Sequence, residues 1–382
     1  NLIGHSQETL SEIKEPVILV THSLSPSDTL SMPRKFIKGL ATETGGKTSH
    51  VGIFAAALGI PAVTGIKELT TQINSGEEII VDGIDGAVII HPNNDNTNHF
   101  LKKQENYRRY EERLLADINQ PAETLDGYQI QLFANIESDQ EVKTLQKFGA
   151  EGVGLYRTEF LYMSEPSLPS EKQLYENFKN VAQELGDKPV VIRTLDIGMD
   201  KQIAKIKTDN EDNPALGLRG IRLSLAKPDL FIHQLKSILK ASFYGNIKVL
   251  YPMVSSVTEI IQANELLQKA KNILNKEQIP FNENIEVGAM IETPAATICV
   301  DHILDQVDFI SIGSNDLIQY LLAIDRINEN VAHLYQPFHP SVTRSLKNIF
   351  KTANKAGKKV SICGELGGDP MATMLLLGLG II

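Results

Sequence analysis

The stretch IEVGAMIE (residues 285–292), followed by VDFISIGSND (residues 307–316), places two short apolar, β-rich runs directly before carboxylates. Runs of this length predict strands, and the amphipathic segments around them predict helices, so the pattern is that of βα units building a parallel sheet. Working outward, the same alternation recurs. The expected strands are Ile130 to Ala134, Gly152 to Tyr156, Pro189 to Leu195, Ile247 to Tyr251, Ile285 to Ile291, Val307 to Ile312 and Lys359 to Cys363. The intervening helices include Glu171 to Leu185, Leu230 to Ser242, Val257 to Asn275 and Ser341 to Ala356.

The fold class is therefore α/β, and a TIM-type (β/α)8 barrel over residues 121–382 is the natural closure. An open doubly wound sheet shares the strand pattern and stays as the alternative. One more apolar helical segment precedes Ile382, so the barrel is expected to be truncated at its C-terminus, short of its closing strand.

Residues 1–97 predict a smaller, partial α/β domain. It has a short strand at Val17 to Val20, then helices, then a strand pair within Glu78 to Ile90 that turns at Asp85-Gly86. Residues 98–120 are expected to form a linker helix, since Asn98 to Asp117 contains neither Gly nor Pro and interleaves lysines and arginines with glutamates.

Bulk properties narrow the function. A chain of 382 residues exceeds what one core supports, and 42% hydrophobic with 22% charged residues describes a globular protein. No apolar run reaches spanning length, no secretory leader precedes the first strand, and the expected location is the cytoplasm. The net charge of -10 argues against nucleic acid as a partner. With only Cys299 and Cys363, neither a disulfide framework nor a zinc cluster is supported. HExxH pairs, GxSxG elbows, Walker loops and GxGxxG turns are all missing from the sequence.

Polar residues fall repeatedly at expected strand ends, where the chemistry of parallel α/β folds collects. Arg157, Thr158 and Glu159 follow one strand; Arg193 and Asp196 end another; Glu292, the pair Asn315 and Asp316, and then Cys363 and Glu365 follow three more. Arg157, Arg193, Arg219 and Arg326 are candidates for a cage around a phosphate and a carboxylate, which guanidinium binds with a planar fork of donors. Glu292 and Asp316 offer the hard oxygen ligands that magnesium prefers, although ion pairs with the arginines would explain them equally well. His50 closes GGKTSH (residues 45–50) at the start of a helical run, Val51 to Leu58, that stops at Gly59-Ile60-Pro61. Free amides and the dipole there favour a neutral imidazole carrying a phosphoryl group, while the bland alternative is a histidine that merely follows an N-cap.

The stretches GGKTSH with ALGIPAVTG, EGVGLYRTEFLYM, VVIRTLDIG, NPALGLRGIRLSL, VGAMIETPAA, DFISIGSNDLIQYLLAIDR and ICGELGGD occur in order. In these the chain resembles the enzyme I family, the phosphoenolpyruvate-protein phosphotransferases of the bacterial phosphotransferase system that serves sugar transport. The resemblance implies that His50 is phosphorylated, that Glu292 and Asp316 hold Mg2+, and that Arg157, Arg193, Asn315 and Arg326 hold phosphoenolpyruvate, with Arg219 a further arginine of the barrel mouth. It also implies that Cys363 protonates the enolate to give pyruvate; read alone, Cys363 is equally a small buried hydrophobe. The phosphocarrier protein HPr would accept the phosphoryl group, and the family is a homodimer through the barrel. The family's N-terminal strand and HPr-docking region are not seen before Asn1. Transfer would require the small domain to swing about its linker.

Some positions depart from the family pattern. Ala56 stands where an arginine is usual, Met199 where a second glycine is usual, and Ser23 where an aspartate is usual. Pyruvate phosphate dikinase and phosphoenolpyruvate synthase share both domains but need an ATP-grasp domain that this sequence does not contain. A non-catalytic phosphoenolpyruvate sensor on the same barrel is the reading from another class.

Overall fold

The computed structural model describes residues 13–24, 32–33, 35–45, 51–52, 54–55, 59–163, 167–197, 211–328 and 330–381. Packing divides the chain into two compact units, Asn1–Ala116 with Ile324–Tyr335, and Asp117–Ala323 with Gln336–Ile382.

In the first unit, strands β1 (Val17–Thr21), β2 (Ile37–Thr42) and β3 (Ala62–Thr64) form a parallel sheet in that order. Helix α1 (Leu69–Gln72) leads to an antiparallel pair, β4 (Ile79–Asp82) and β5 (Ala87–Ile90), and then to the long helix α2 (Asn94–Ala116). The first strand and the hairpin lie where the sequence placed them, whereas β2 and β3 occupy a region expected to be helical. The IKGLAT run is buried at every position but Lys38, so it carries no two-residue alternation that would reveal a strand. Ile37, Leu40, Val51 and Ala55 form the core of this unit, with Val17, Leu19 and Ile60 packed on it.

Helix α2 starts and stops a few residues before the expected linker, and it groups with the small unit. The physical reason is Lys103, whose ammonium reaches both Asp82 and, at 2.6 Å, Asp85 of the hairpin. Burial alone would raise the Asp82 carboxyl; Lys103 and the amides of Asp85 and Ile84 hold it below its ordinary range. None of the residues of α2 is buried, so the solvated character read from its charges holds.

The second unit begins with β6 (Ala134–Ile136), α3 (Val142–Lys147), β7 (Val153–Arg157), α4 (Glu159–Met163), α5 (Glu171–Leu185) and β8 (Val190–Arg193). It continues with α6 (Ile221–Ala226), α7 (Pro228–Ala241), β9 (Ile247–Tyr251), α8 (Val257–Lys276), β10 (Val287–Ile291), α9 (Pro294–Ile298), α10 (Val300–Leu304) and β11 (Phe309–Gly313). Helix α11 (Ser314–Leu322), α12 (Pro340–Ala356), β12 (Lys359–Cys363) and α13 (Pro370–Leu379) complete it. Serine capping boxes at Ser170 and Ser256 start α5 and α8, which is why those boundaries were legible.

Among the described residues, β6 to β12 form one seven-stranded parallel sheet in sequence order, with β6 and β12 as its edges. Leu155, Val191, Leu250, Met290, Phe309 and Cys363, contributed by β7 to β12, pack into a single interior cluster. Side chains from so many consecutive strands can meet only if the sheet is rolled, so the expectation of an incomplete (β/α)8 barrel is borne out. The first barrel strand is displaced from the expected Ile130 to Ala134. Residues 122–130 instead close a local turn, in which Thr124 N–H donates to Tyr128 O, Ile130 N–H donates to Ala122 O, and Glu123 bridges to Gln129. Among the described residues no helix is long and apolar enough to cross a membrane.

Phe309 fills the barrel interior so closely that a Cβ on Gly288 would come within 2.4 Å of its ring. Phe309→Ala is expected to destabilise the protein by about 3–5 kcal/mol, read from urea unfolding followed by circular dichroism.

Candidate functional site

The barrel strands deliver polar residues to one rim as they end. Arg157 and Arg193 are ladder partners at the ends of β7 and β8. Thr158 and Glu159 open α4, and Thr194, Leu195 and Asp196 continue from β8. Glu292 follows β10, Asn315 and Asp316 sit in the first turn of α11 directly after β11, and Cys363 ends β12 opposite Gly313.

Glu159, Asp196, Glu292 and Asp316 are all buried. Arg193 pairs with Glu159 Oε1 and Asp196 Oδ2, each at 3.1 Å. Arg219 sends one nitrogen to both Asp196 Oδ2 at 2.9 Å and Asp316 Oδ2 at 3.0 Å, and another to the Tyr320 hydroxyl at 3.1 Å. Carboxylate oxygens of Asp196, Glu292 and Asp316 lie within 4.8 Å of one another. The backbone is shaped to admit them. Met253 takes a left-handed conformation (φ 57°), unusual for a side chain of its size, and donates its N–H to Glu292 Oε1 at 2.6 Å. Gly313 is required because a Cβ there would stand 2.3 Å from Glu292 Oε2.

Burial opposes the charge on Arg193, but Glu159, Asp196, Glu292 and Asp316 override it and hold the guanidinium above its usual range. Arg219 is held up in the same way by Asp196 and Asp316 against burial. Glu292 is the group that yields: burial first, then the neighbouring Asp316 and Asp196, push it up to about 8, although Arg193 and Arg219 pull the other way. When ionised, four buried carboxylates face two largely buried guanidiniums, an excess of two negative charges. That excess, together with an all-oxygen donor set, fits a divalent hard cation. The donors are partly engaged already, so a cation at this site would share Asp196 and Asp316 with Arg219.

The family described as "PEP-utilising enzyme, PEP-binding domain" matches residues 111–382, which include every member of this cluster. The chain belongs to the PEP-utilising enzyme family. Residues 13–86 match its "mobile domain". Phosphoenolpyruvate-protein phosphotransferases from Priestia megaterium and Bacillus subtilis (strain 168) are each 43% identical over 381 residues, covering 100% of this chain and 66% and 67% of theirs. The Staphylococcus aureus protein of the same description is 42% identical over 381 residues, 100% of this chain and 67% of its own. The chain thus spans about two thirds of the length of the curated relatives it matches, and the likeness to this group inferred from the ordered motifs runs through all of it.

Against this family background, the structure brings together Arg193, Arg219, Glu292 and Asp316. Arg157 is at the same rim and pairs with Glu137 at 2.9 Å, with part of its side chain exposed. Asn315 Oδ1 accepts from the Glu365 amide at 2.9 Å, which ties the ends of β11 and β12. The Cys363 thiol is buried, lies 3.3 Å from Ile312 O, and is pushed up chiefly by burial, so it keeps its proton. Arg326 falls in the Ile324–Tyr335 segment, which groups with the other unit. His50, and likewise Ala56 and Met199, lie outside the described residues.

Three participants were not singled out from sequence as site residues. Asp196 was noted at a strand end, but its place beside Glu292 and Asp316 depends on how β8 stands relative to β10 and β11. Glu159 carried the same strand-end signal. Tyr320, whose hydroxyl also donates to Ala215 O and whose phenol is pushed up to about 12, chiefly by burial, had no distinguishing sequence signal.

With divalent cations chelated, stability should fall as pH rises from about 4.5 to about 8. Unfolded, Glu292 ionises at the lower end of that window; folded, it keeps its proton, so the native state binds the extra proton and rising pH works against it. Urea titrations across the window measure this, and Glu292→Gln should flatten the slope. Gly313→Ala is expected to cost about 1–3 kcal/mol by forcing Glu292 aside, measurable as a shift of the thermal midpoint.

Proposed function

We propose that the chain is the phosphoenolpyruvate-using part of a phosphoenolpyruvate-protein phosphotransferase, transferring the phosphoryl group to His50. The observation that carries this reading is the buried rim cluster: guanidiniums able to grip an anion stand beside carboxylates whose excess charge calls for a cation. Arg193 supports it further, because its buried Nε has no hydrogen-bond partner among the described residues.

In this proposal Glu292 and Asp316 hold Mg2+, with Asp196 alongside. The ion, when bound, supplies positive charge against the phosphoryl and carboxylate oxygens. Arg193 and Arg219, with Arg157 at the rim, hold the phosphate of phosphoenolpyruvate, and Asn315 helps to orient it. Arg326 keeps its expected role as a further phosphate ligand only as part of the proposal. A nitrogen of His50 forms the N–P bond as the bond between phosphorus and the enol oxygen breaks, leaving the enolate of pyruvate. Cys363, a neutral thiol, gives its proton to the enolate carbon, and the thiolate recovers a proton from solvent. Most of the barrier is lowered by positioning and by fixed charge. The small unit swings to present His50, a histidine phosphocarrier such as HPr accepts the phosphoryl group in turn, and the working assembly is a cytoplasmic homodimer through the barrel.

The test is incubation with Mg2+ and phosphorus-labelled phosphoenolpyruvate, with EDTA and His50→Ala as controls. Acid-labile label on the chain, lost in both controls, is expected. Binding of phosphoenolpyruvate with neither labelled protein nor pyruvate would instead favour the sensor. Cys363→Ala is expected to slow pyruvate release by about 10²- to 10⁴-fold while leaving phosphoenolpyruvate binding in place.

A further inference from the structure

We infer that Gln234, a residue of α7 remote from the reacting groups, is the positioning residue that fixes the geometry of Arg193 and Asp196. The inference rests on the phosphoenolpyruvate site proposed above.

Gln234 is buried on a helix outside the sheet, yet its carboxamide is spent on the ends of two strands. Its Oε1 accepts from the Leu195 amide at 3.0 Å, and its Nε2 donates to Thr158 Oγ1 at 3.1 Å. Thr158 Oγ1 donates onward to the carbonyl of Arg193 at 3.0 Å. The directions are mutually fixed: an amide can only donate to Gln234, and a hydroxyl already donating to Arg193 must accept from it.

What this achieves follows from the backbone beyond β8. The ladder with β7 ends at Arg193, and the next three amides would otherwise lack a common partner. Thr194 N–H donates to Leu250 O of β9, Leu195 N–H to Gln234, and Asp196 N–H to Glu159 Oε1, at 2.9, 3.0 and 3.0 Å. Three acceptors from three different elements thus define the bend that turns Asp196 back onto the Arg193 guanidinium at 3.1 Å. Of these acceptors only Gln234 belongs neither to the sheet nor to the charged cluster. It also holds Thr158, the residue between Arg157 and Glu159, so one side chain sets the relation of the two strand ends that carry Arg157, Arg193 and two of the site carboxylates.

The decisive variant is Gln234→Met, which keeps the length and burial of the side chain but removes both hydrogen bonds. Thr158→Val removes the same link from the other end and serves if the first variant folds poorly. Ser237→Ala is the control. It lies one turn away on α7, is equally buried, and bonds only to the carbonyls of Glu171 and His233. The readouts are Mn2+ affinity by electron paramagnetic resonance and the KM for phosphoenolpyruvate, both taken well below the melting temperature.

Supporting groups behind metal and substrate ligands typically set affinity by about 10- to 100-fold, so a rise of about that size in the Mn2+ dissociation constant and in KM is expected for Gln234→Met. Thr158→Val should act in the same direction, and the double variant should be little worse than either alone, because the residues form one chain of bonds. Ser237→Ala should lower stability without changing either readout. If Gln234→Met and Thr158→Val change Mn2+ affinity no more than Ser237→Ala does, Gln234 is structural only and the inference is overturned. If the unaltered protein binds neither Mn2+ nor phosphoenolpyruvate, the failure lies with the proposed site itself.

Discussion

Four carboxylates and two guanidiniums confined to one water-poor rim impose the constraint on which the rest of this barrel depends. At an effective dielectric of about 20, an ion pair about 3 Å apart gains about 5 kcal/mol. Burying each ion costs several kcal/mol, so paired charges roughly break even and an unmatched one does not. Arg193 and Arg219 each take two carboxylate partners, and Glu292, which among the described residues has the Met253 amide and distant attraction, meets the deficit by holding its proton. The site is thus an unfinished charge balance, able to accept a cation at the cost of releasing a proton.

Much of the surrounding structure makes sense as scaffolding for that arrangement. The apolar interior cluster from β7 to β12 keeps the strands rolled, which makes their ends converge. Gly313 leaves room for Glu292, and Met253 takes an unfavourable backbone conformation to point its amide at the same carboxylate. Gly364, with φ 86°, passes so close to Ser314 and Asn315 that a Cβ would lie 2.4 Å from the serine hydroxyl, which lets the turn after Cys363 sit against α11. Met253 and Gly364 are thus backbone exceptions placed at the rim, while α5 and α8 outside it start with ordinary capping boxes.

The small unit follows a different economy of contacts. Its apolar core is modest, and its polar links do more of the local work: Lys103 binds α2 to the hairpin, and Glu43 joins His22 at the end of β1 to Thr70 of α1. Hydrogen bonds from the Thr70 hydroxyl, His22 and the Thr70 amide hold Glu43 down to about 2, so this exposed link persists across the neutral range. By its own contacts α2 groups with the small unit, whose boundary at Ala116 coincides with the end of that helix.

The sequence by itself determined the alternation of strands and helices in the barrel, because a strand buried between helices reads as an apolar run and a surface helix as a periodic one. It also showed polar groups recurring at strand ends, and the ordered motifs pointed to the family. Strand β2 was hidden because a short run buried on nearly every side has no period to read, β3 because three residues are too few to show one, and the first barrel strand because a local turn competed for its backbone. Which strand-end residues share a cluster was decided only by the tertiary structure. Asp196 and Glu159 join Glu292 and Asp316 because such meetings depend on the roll of the sheet and on through-space electrostatics between residues far apart in the chain. The proton on Glu292 and the reach of Gln234 have the same origin, since burial and hydrogen-bond direction exist only once the strands have been brought side by side.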